Sequence, residues 1–244
     1  MRVFGITDRG AVRKENQDCF RFEAPEGEAI VTAVLCDGMG GAQAGSVASN
    51  MAADAFMSHA ANSLDDESSP SDMREILLDA VNYANIKVYD KSFSDFACMG
   101  MGSTLVALLM NSRRVFVANV GDSRAYLIAR RRIEQVTQDH SYVAELYRKG
   151  ELTREEARNH PRKNIITRAI GVEASVKCDI FEVKVPSGGA LLLCSDGLSN
   201  LVTDEEILAA VEKSAEPDKA AQRLLTLALE RGAPDNVTVL IAVR

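Results

Sequence analysis

The sequence lacks long apolar runs. A helix that crosses a membrane needs about 18 or more consecutive apolar residues, whereas the longest clean runs of this 244-residue chain, such as Leu105–Met110 and Ala190–Cys194, are far shorter. The N-terminus reaches Asp8 before the apolar core of a signal peptide could form. We therefore expect a soluble cytoplasmic protein that does not associate with membranes.

Cysteine and histidine are scarce. The five cysteines are odd in number and include no C-x-x-C pair, which disfavours a zinc ribbon and a secreted disulfide framework. We expect buried thiols instead. No cysteine is followed six positions later by arginine, so the phosphate loop of cysteine phosphatases is missing, and three histidines are too few for a histidine-rich metal site.

Several nucleotide and phosphate motifs are absent. The chain contains no Gly-Lys pair, which excludes a P-loop. The segment GMGGAQAG approaches the dinucleotide pattern G-x-G-x-x-G, but Gln43 stands where the last glycine belongs. No two aspartates are two positions apart, so the D-x-D motif of haloacid-type phosphatases is also missing.

Charge is unevenly distributed. The formal net charge of −7 disfavours general nucleic-acid binding. Residues 113–168, however, hold 13 Lys/Arg and 7 Asp/Glu, a surplus of six positive charges. This stretch is either a solvated basic face or a surface that attracts an acidic or phosphorylated partner.

The apolar pattern predicts an α+β fold. With 46% hydrophobic and 26% charged residues, the composition is that of an ordinary globular domain. Strands are predicted at residues 3–8, 30–36, 103–110, 115–120, 125–128, 179–185, 190–194 and 237–243, and helices at 44–61, 72–90, 141–149, 153–159, 204–212 and from Pro217 to Gly232. Because strands occur in consecutive groups and helices in pairs, we expect helices packed on antiparallel sheets.

Three details of these helices can be tested. The first long helix is predicted to present Val47, Met51 and Ala55 on one face, and the second Leu77, Val81, Ala84 and Val88. Thr153 with Glu156, and Thr203 with Glu206, have the spacing of capping boxes at the starts of two shorter helices.

Aspartates recur at strand ends. Apolar runs end in Asp37-Gly38, Gly121-Asp122 and Asp196-Gly197, while Asp235 precedes the last strand and Asp18 follows the first. A single Asp-Gly is ordinary turn chemistry, but several rigidly held acids converge favourably only around cations. Carboxylates without histidine or cysteine select magnesium or manganese. The carbonyl of Gly38 could approach such an ion, because glycine has no side chain in the way.

These acids suggest phosphoester chemistry. Two ions roughly 3.5–4 Å apart lower the pKa of a water between them and make it a nucleophile near neutral pH. The developing negative charge of a phosphoester is then stabilised by the ions and by an arginine. Arg13 lies five residues before Asp18, and a bidentate guanidinium suits a phosphate.

Eight segments of the sequence resemble those of a known family. The segments TDRGAVRKENQD, CDGMGGAQAGSVAS, MGSTLVAL, VANVGDSRAYL, TQDHSYV, HPRKNIITRAIG, LLLCSDGLSN and DNVTVLIA occur in the order and spacing of the PPM (type 2C) metal-dependent serine/threonine protein phosphatases. The chain is most similar to the compact bacterial members, and the resemblance covers about residues 2–243. It implies one catalytic domain over residues 1–244, with an αββα sandwich of two antiparallel sheets flanked by helix pairs.

The resemblance also implies roles for individual residues. Asp37, the Gly38 carbonyl, Asp196 and Asp235 match the ligands of a binuclear Mn²⁺ or Mg²⁺ centre, with Asp37 bridging the two ions. Asp122 matches the acid that holds a third, weaker metal together with Asp196. Arg13 matches the phosphate-binding arginine, and Asp18 an acid that orients water at the metals.

Other implied features concern the flap and the proton donor. Residues 139–170 match a flap beside the cleft that influences substrate choice. Eukaryotic relatives carry an acid at the Gln17 position and a histidine, proposed as general acid, at the Met39 position; many bacterial relatives carry histidine at Ala42 and glutamate at Ser46. No residue here inherits the proton-donor role. His140 is a donor by residue type only, and we expect it to be structural at the base of the flap.

The resemblance implies a cytoplasmic, monomeric hydrolase of phosphoserine and phosphothreonine proteins. The expected partners are a cognate serine/threonine kinase and its substrates, by family analogy. The alternative is a catalytically inactive phosphatase-like domain that binds phosphoproteins. Because every ligand position is filled, the sequence favours the enzyme.

Overall fold

A computed structural model describes residues 1–25, 30–41, 44–64, 68–111, 114–214 and 216–244. Ala42, Gln43 and Arg113, which were named in the sequence analysis, lie outside these ranges. Within them, none of the helices combines the length and the apolarity that crossing a membrane requires.

Antiparallel strands form the centre of the fold. In chain order they are β1 (Arg2–Asp8), β2 (Asp18–Glu23), β3 (Val31–Met39), β4 (Gly102–Ser103), β5 (Leu105–Met110), β6 (Val115–Val120), β7 (Arg124–Ala129), β8 (Arg132–Gln135), β9 (Asp179–Val183), β10 (Ala190–Cys194) and β11 (Val237–Val243). One sheet has the order β1-β11-β10-β7-β8, and the other has the order β2-β3-β5-β6-β9 with β4 paired to β3.

Helices cover the sheets. They are α1 (Ala44–Ser63), α2 (Pro70–Ser94), α3 (Tyr142–Arg148), α4 (Arg154–Asn159), α5 (Asp196–Ser199), α6 (Asp204–Glu212) and α7 (Pro217–Glu230), with a 3₁₀ turn at Phe96–Cys98. The capping boxes at Thr153 and Thr203 are both formed, each hydroxyl accepting from the backbone N–H three residues on.

Three apolar layers hold the elements together. Leu35, Leu108 and Leu193 lie in a core between the two sheets. A second core joins α1 and α2 to the β3 sheet, and a third joins α6 and α7 to the β11 sheet. Strands that are buried on both faces are typically continuous apolar runs, as in β5, and in β6 only Asn119 interrupts the run. The predicted αββα architecture is therefore confirmed.

The predicted face of α1 is only partly correct, since Met51 and Ala55 pack against the core but Val47 does not. Val47 is 37% exposed, whereas Ala48, Ala52 and Phe56 are fully buried. The helix packs against α2 on one side and against β2 and β3 on the other. Small alanines fit this close two-sided packing, so the fully buried face is centred on them, and the hydrophobic size of Val47 did not indicate burial. The predicted face of α2 is correct, since Leu77, Val81, Ala84 and Val88 are all fully buried.

The predicted flap at residues 139–170 contains α3 and α4 and is closed at its base by backbone pairing. Ser141 pairs with Ile166 in an antiparallel bridge, and Ser103 pairs with Ile170. The Arg154 guanidinium also contacts the Asp204 carboxylate at the start of α6, at 2.5 Å. The base of the flap is thus joined to Ser103, which lies beside the acid-bearing end of β3.

Candidate metal centre and active site

Both sheets contribute strand ends to one cleft of about 560 Å³. The site residues expected from the sequence that line it are Arg13, Asp37, Gly38, Asp122, Asp196 and Asp235. Asp18, the remaining residue, is 6% exposed and lies opposite Asp37 in the β2–β3 pairing. The structure therefore brings together the expected metal ligands, Arg13 and Asp18.

The backbone around Asp37 is tightly held. The Asp37 N–H donates to Thr104 Oγ1 at 2.9 Å, and the Asp37 carbonyl accepts from the Thr104 N–H at 2.8 Å and from Ser103 Oγ at 3.0 Å. Thr104 Oγ1 is in turn hydrogen-bonded to Ser123 Oγ. These bonds lie at the break between β4 and β5, and they hold the backbone from which the Asp37 side chain extends.

Gly38 meets a close approach of backbone. A Cβ at this position would lie 2.0 Å from the carbonyl oxygen of Gly45 in the first turn of α1. No side chain fits there without moving the helix. The glycine therefore lets β3 run past α1 and brings the backbone of residue 38 to the wall of the cleft.

Asp18 connects the two sheets. Its Oδ2 accepts from Ser195 Oγ and from Thr238 Oγ1, both at 2.7 Å. Ser195 directly follows β10, and Thr238 lies in β11. Asp18 Oδ1 is buried and has no hydrogen-bond partner among the described atoms. Burial raises the pKa of Asp18 to about 7, although the hydrogen bonds from Ser195 and Thr238 lower it. An unpartnered buried carboxylate oxygen is costly unless a cation or a water satisfies it.

Asp122 lies on the turn between β6 and β7. Gly121 precedes it with a φ of +108°, a conformation that glycine adopts without strain, and a Cβ there would lie 2.6 Å from the Thr104 side chain. Burial, followed by the charges of Asp196 and Asp139, raises the pKa of Asp122 to about 8.

The second sheet contributes Asp196 and Asp235. Asp196 begins the short helix α5 after β10, and its Oδ2 accepts from Asn200 Nδ2 at 3.0 Å. Asp235 precedes β11, and its Oδ2 accepts from Arg13 Nη2 at 2.7 Å. The same bond raises the pKa of Arg13.

The electrostatics of the cleft fit a hard cation. Desolvation raises the pKa of Asp37 well above its usual value, and the charges of Asp18 and Asp196 raise it further. Desolvation and the charge of Asp235 raise the pKa of Asp196 to about 6. A divalent cation would remove this mutual repulsion, and an all-oxygen donor set suits Mg²⁺ or Mn²⁺.

The number of carboxylates per ion is small. In the described part of the chain, no three Asp, Glu, His or Cys side chains converge on one ion position. Mg²⁺ commonly takes only one or two protein carboxylates and keeps several waters. The chain also offers the Gly38 carbonyl at this cleft. The donors present therefore fit ions with partly aqueous coordination rather than a closed protein cage.

Asn236 is a site residue to which the sequence analysis gave no role. It is 5% exposed, and its Nδ2 donates to the carbonyls of Arg9 and Glu15 at 2.8 and 2.9 Å. Its Oδ1 accepts from the Gln17 N–H at 2.8 Å. Asn236 thus fixes both ends of the loop that carries Arg13. Its place directly after Asp235 was the only available signal.

His140 is buried at the base of the flap. Its Nδ1 accepts from the Gly121 N–H at 3.1 Å, and its Nε2 lies 3.0 Å from Asp179 Oδ2. Both ring nitrogens are therefore engaged, and the imidazole is 2% exposed. These contacts agree with the expected structural role and leave no ring nitrogen for a leaving group.

Comparison with known proteins identifies the family. Residues 10–229 match the family model described as Protein phosphatase 2C. The chain belongs to the protein phosphatase 2C family, as its motifs predicted, and with it to the metal-dependent phosphoprotein hydrolases.

Individual relatives are similar over nearly the whole chain. The chain is 41% identical over 239 residues to a protein named serine/threonine phosphatase stp from Listeria monocytogenes, a match that covers 98% of this chain and 94% of the relative. The crystal structure of the serine/threonine phosphatase Stp1 from Staphylococcus aureus matches with a TM-score of 0.91 at 36% identity, covering 99% of this chain and 94% of that one.

A metal-containing structure is also similar. The catalytic domain of the serine threonine protein phosphatase PstP in complex with two manganese ions matches with a TM-score of 0.84 at 36% identity, covering 98% of this chain and 96% of that one. This likeness supports the expectation of divalent-metal dependence.

Proposed function

We propose that this protein is a phosphoserine/phosphothreonine protein phosphatase with a binuclear Mn²⁺ or Mg²⁺ centre. Asp37, the Gly38 carbonyl, Asp196 and Asp235 would hold the two ions, and Asp122 with Asp196 would hold a third, weaker one. The observation that carries the proposal is the single cleft to which both sheets contribute these acids together with Arg13.

The protein residues bind and orient the phosphate. When bound, the ions supply Lewis acidity and lower the pKa of a coordinated water. Arg13 is 53% exposed at the cleft and uses Nη2 for Asp235, while a guanidinium carries five N–H donors in all. Its remaining donors can therefore hold the phosphoryl oxygens of a substrate.

Asp18 and Asn236 act behind the reacting groups. Asp18 holds Ser195 and Thr238 against β2, so that the acids from the two sheets keep a fixed separation. Asn236 keeps the Arg13 loop folded beside Asp235. The free Oδ1 of Asp18 is the acceptor that could orient a water in the cleft.

The alternative is an inactive, phosphoprotein-binding domain. Such a domain would be expected to lose acids from the cleft, but every expected acid is present and lines it or lies directly behind it. Burial first, and neighbouring acids second, raise the pKa values of Asp122 and Asp196, a cost that a binding-only role would leave without a purpose. These observations support the enzyme.

The proposal also covers domain organisation, assembly and partners. We infer one catalytic domain over residues 1–244, with the flap at 139–170 beside the cleft. We also infer a monomer that acts in the cytoplasm against a serine/threonine kinase and its targets. The names of its relatives support the substrate class, and size-exclusion chromatography tests the assembly.

The deciding experiment is a metal-titrated assay on matched phosphopeptides. After treatment with EDTA and gel filtration, added Mn²⁺ should restore hydrolysis of a phosphothreonine peptide and much less of the same peptide with phosphotyrosine. Asp37→Ala and Asp196→Ala should lose most of kcat at every metal concentration. Full activity in metal-free buffer would refute the proposal.

A further inference from the structure

A second groove opens beside the metal cleft. It has a volume of about 720 Å³ and runs between the flap and the core. Asp122 and Asp196 line both this groove and the metal cleft. A phosphoresidue bound at the metals would therefore place its neighbours in the chain at the mouth of the groove.

The two walls of the groove come from different parts of the fold. The flap contributes Val143, Ala144 and Tyr147 of α3 together with Ala157 of α4, and the core contributes the start of α6. Apolar side chains thus alternate with charged ones, which suits an extended peptide: its backbone and small side chains can lie on the apolar part, while its charged side chains reach the walls.

Some of the charged residues in the groove are already neutralised. Arg124 is paired with Asp139 at 2.6 Å, and Arg154 with Asp204 at 2.5 Å. The first pair joins β7 to the start of the flap, and the second joins α4 to α6. Because each pair is neutral, these four side chains offer little net charge to a ligand.

Three cations of the flap wall are not neutralised in this way. Within the described ranges, Arg148, Arg158 and Lys163 have no ion pair and donate no side-chain hydrogen bond, yet all three line the groove. Lys163 directly precedes Asn164, which lines the metal cleft, so Lys163 lies where the groove meets that cleft. Among the described residues, four acids of the same lining have no ion pair: Glu155 and Glu205 on the groove walls, and Asp122 and Asp196 where the groove meets the metal cleft. The last two are the acids to which bound cations would be assigned, so at the groove walls three unpaired cations face two unpaired acids.

From this arrangement we propose that the groove receives the substrate chain on either side of the phosphoresidue, and that Arg148, Arg158 and Lys163 select acidic side chains there. The inference rests on the proposed phosphatase function, and it adds the substrate class. It also gives a purpose to part of the basic stretch in a chain whose net charge is −7. Because exposed ion pairs are individually weak, the selection is a sum over several flap cations and decreases as salt is raised.

The test compares three phosphothreonine peptides that differ only in their flanking residues, which are glutamate, alanine or lysine on both sides. For the wild-type holoenzyme in Mn²⁺, we expect kcat/KM to be about fivefold or more higher for the glutamate peptide than for the lysine peptide at low salt. A wild-type enzyme without preference, or with a preference for lysine, would overturn the inference.

The matched variants carry equal changes of charge. Arg148→Glu combined with Arg158→Glu should bring the ratio of glutamate to lysine peptide to about one or below. Arg130→Glu combined with Arg131→Glu changes the net charge equally on the exposed turn between β7 and β8, outside the groove lining, and should keep the wild-type ratio. If both double variants change the ratio alike, general electrostatics explains it and the groove does not.

The ratio is independent of any general loss of activity, because both peptides are measured on the same preparation, and circular dichroism checks the fold. Failure of the proposed function would look different. In that case Mn²⁺ would support hydrolysis of none of the peptides and of no aryl phosphate either. Mn²⁺-dependent hydrolysis without charge selection refutes only the groove inference.

Discussion

At the scale of single residues, Arg13 shows how one side chain serves the cleft. Its guanidinium contacts Asp235 at 2.7 Å and stands at the edge of the same cleft as Asp37. The sequence predicted a phosphate-binding role from its position five residues before Asp18. The sequence could not show that Arg13 pairs with an acid across the molecule, because nothing local links residues 13 and 235.

The first prediction concerns Arg13→Ala. A phosphopeptide should show a KM raised by about tenfold, equivalent to about 1.4 kcal/mol. An aryl phosphate should show a smaller loss, because a reactive leaving group depends less on precise positioning. Steady-state kinetics on both substrates checks this. Arg13→Lys is the control variant, because it keeps the positive charge but loses the bidentate guanidinium. An unchanged KM for Arg13→Ala would remove it from the phosphate-binding role.

The second prediction concerns Asn236→Ala. The change leaves the carbonyls of Arg9 and Glu15 and the Gln17 N–H without their partner, so the free energy of unfolding should fall by about 1–3 kcal/mol. The phosphopeptide KM should also rise as in Arg13→Ala, because the Arg13 loop loses its anchor. A purely structural asparagine would lower stability but leave KM unchanged at temperatures where the variant is folded.

At the scale of elements, periodicity predicted the amphipathic helices, but it did not predict every helix face that is buried. The second half of the chain follows its capping boxes and strand runs closely, and α6 occupies the predicted residues 204–212. The strands β2 and β8 were missed because their alternating polar residues resemble loops; Arg21 and Glu134 belong to such strands. Two-sided packing on α1 overrode the size of its apolar residues.

The acids at the strand ends were predicted from the same local pattern, and the fold brings them together. The supporting hydroxyls were not predicted, since Ser103, Thr104 and Thr238 act through contacts between segments far apart in the chain. Serine and threonine are common in strands and turns, so their presence alone does not distinguish a clamp on Asp37 from an ordinary surface position.

The third prediction compares two identical caps. Thr153→Ala removes the capping box of α4 in the flap, and Thr203→Ala removes that of α6, which contacts α7 and β8. Each loss costs about 1 kcal/mol. In hydrogen exchange, Thr153→Ala should speed exchange at residues 155–160 with little change in Tm, whereas Thr203→Ala should lower the global Tm. Equal effects on Tm would show that the flap does not open independently.

At the scale of the whole molecule, the cleft couples metal binding to stability. The acids come from both sheets, so a cation between them ties β3 to β10 and β11. Without a cation, burial and the neighbouring acids both disfavour the ionised carboxylates, which raises the pKa values of Asp122 and Asp196. The folded protein should therefore gain stability from any divalent ion that binds there.

The fourth prediction tests this coupling. Mn²⁺ at about a hundredfold excess over its Kd should stabilise the protein by about 2.7 kcal/mol and raise Tm by about 5–10 °C. Asp37→Asn replaces a buried carboxyl whose ionised form is disfavoured by desolvation and by the neighbouring acids. Its metal-free Tm should therefore exceed that of the wild type, while its response to Mn²⁺ should largely disappear. Differential scanning calorimetry with and without EDTA measures both. A full Mn²⁺ response in Asp37→Asn would contradict the assignment of Asp37 as a ligand.

The central claim is that distant acids converge to hold divalent ions, and anomalous scattering from crystals soaked in MnCl₂ tests it most directly. We expect two strong manganese peaks in the cleft, contacted by Asp37, Asp196 and Asp235, with a weaker peak near Asp122. Manganese peaks elsewhere on the protein, with none among these carboxylates, would contradict it.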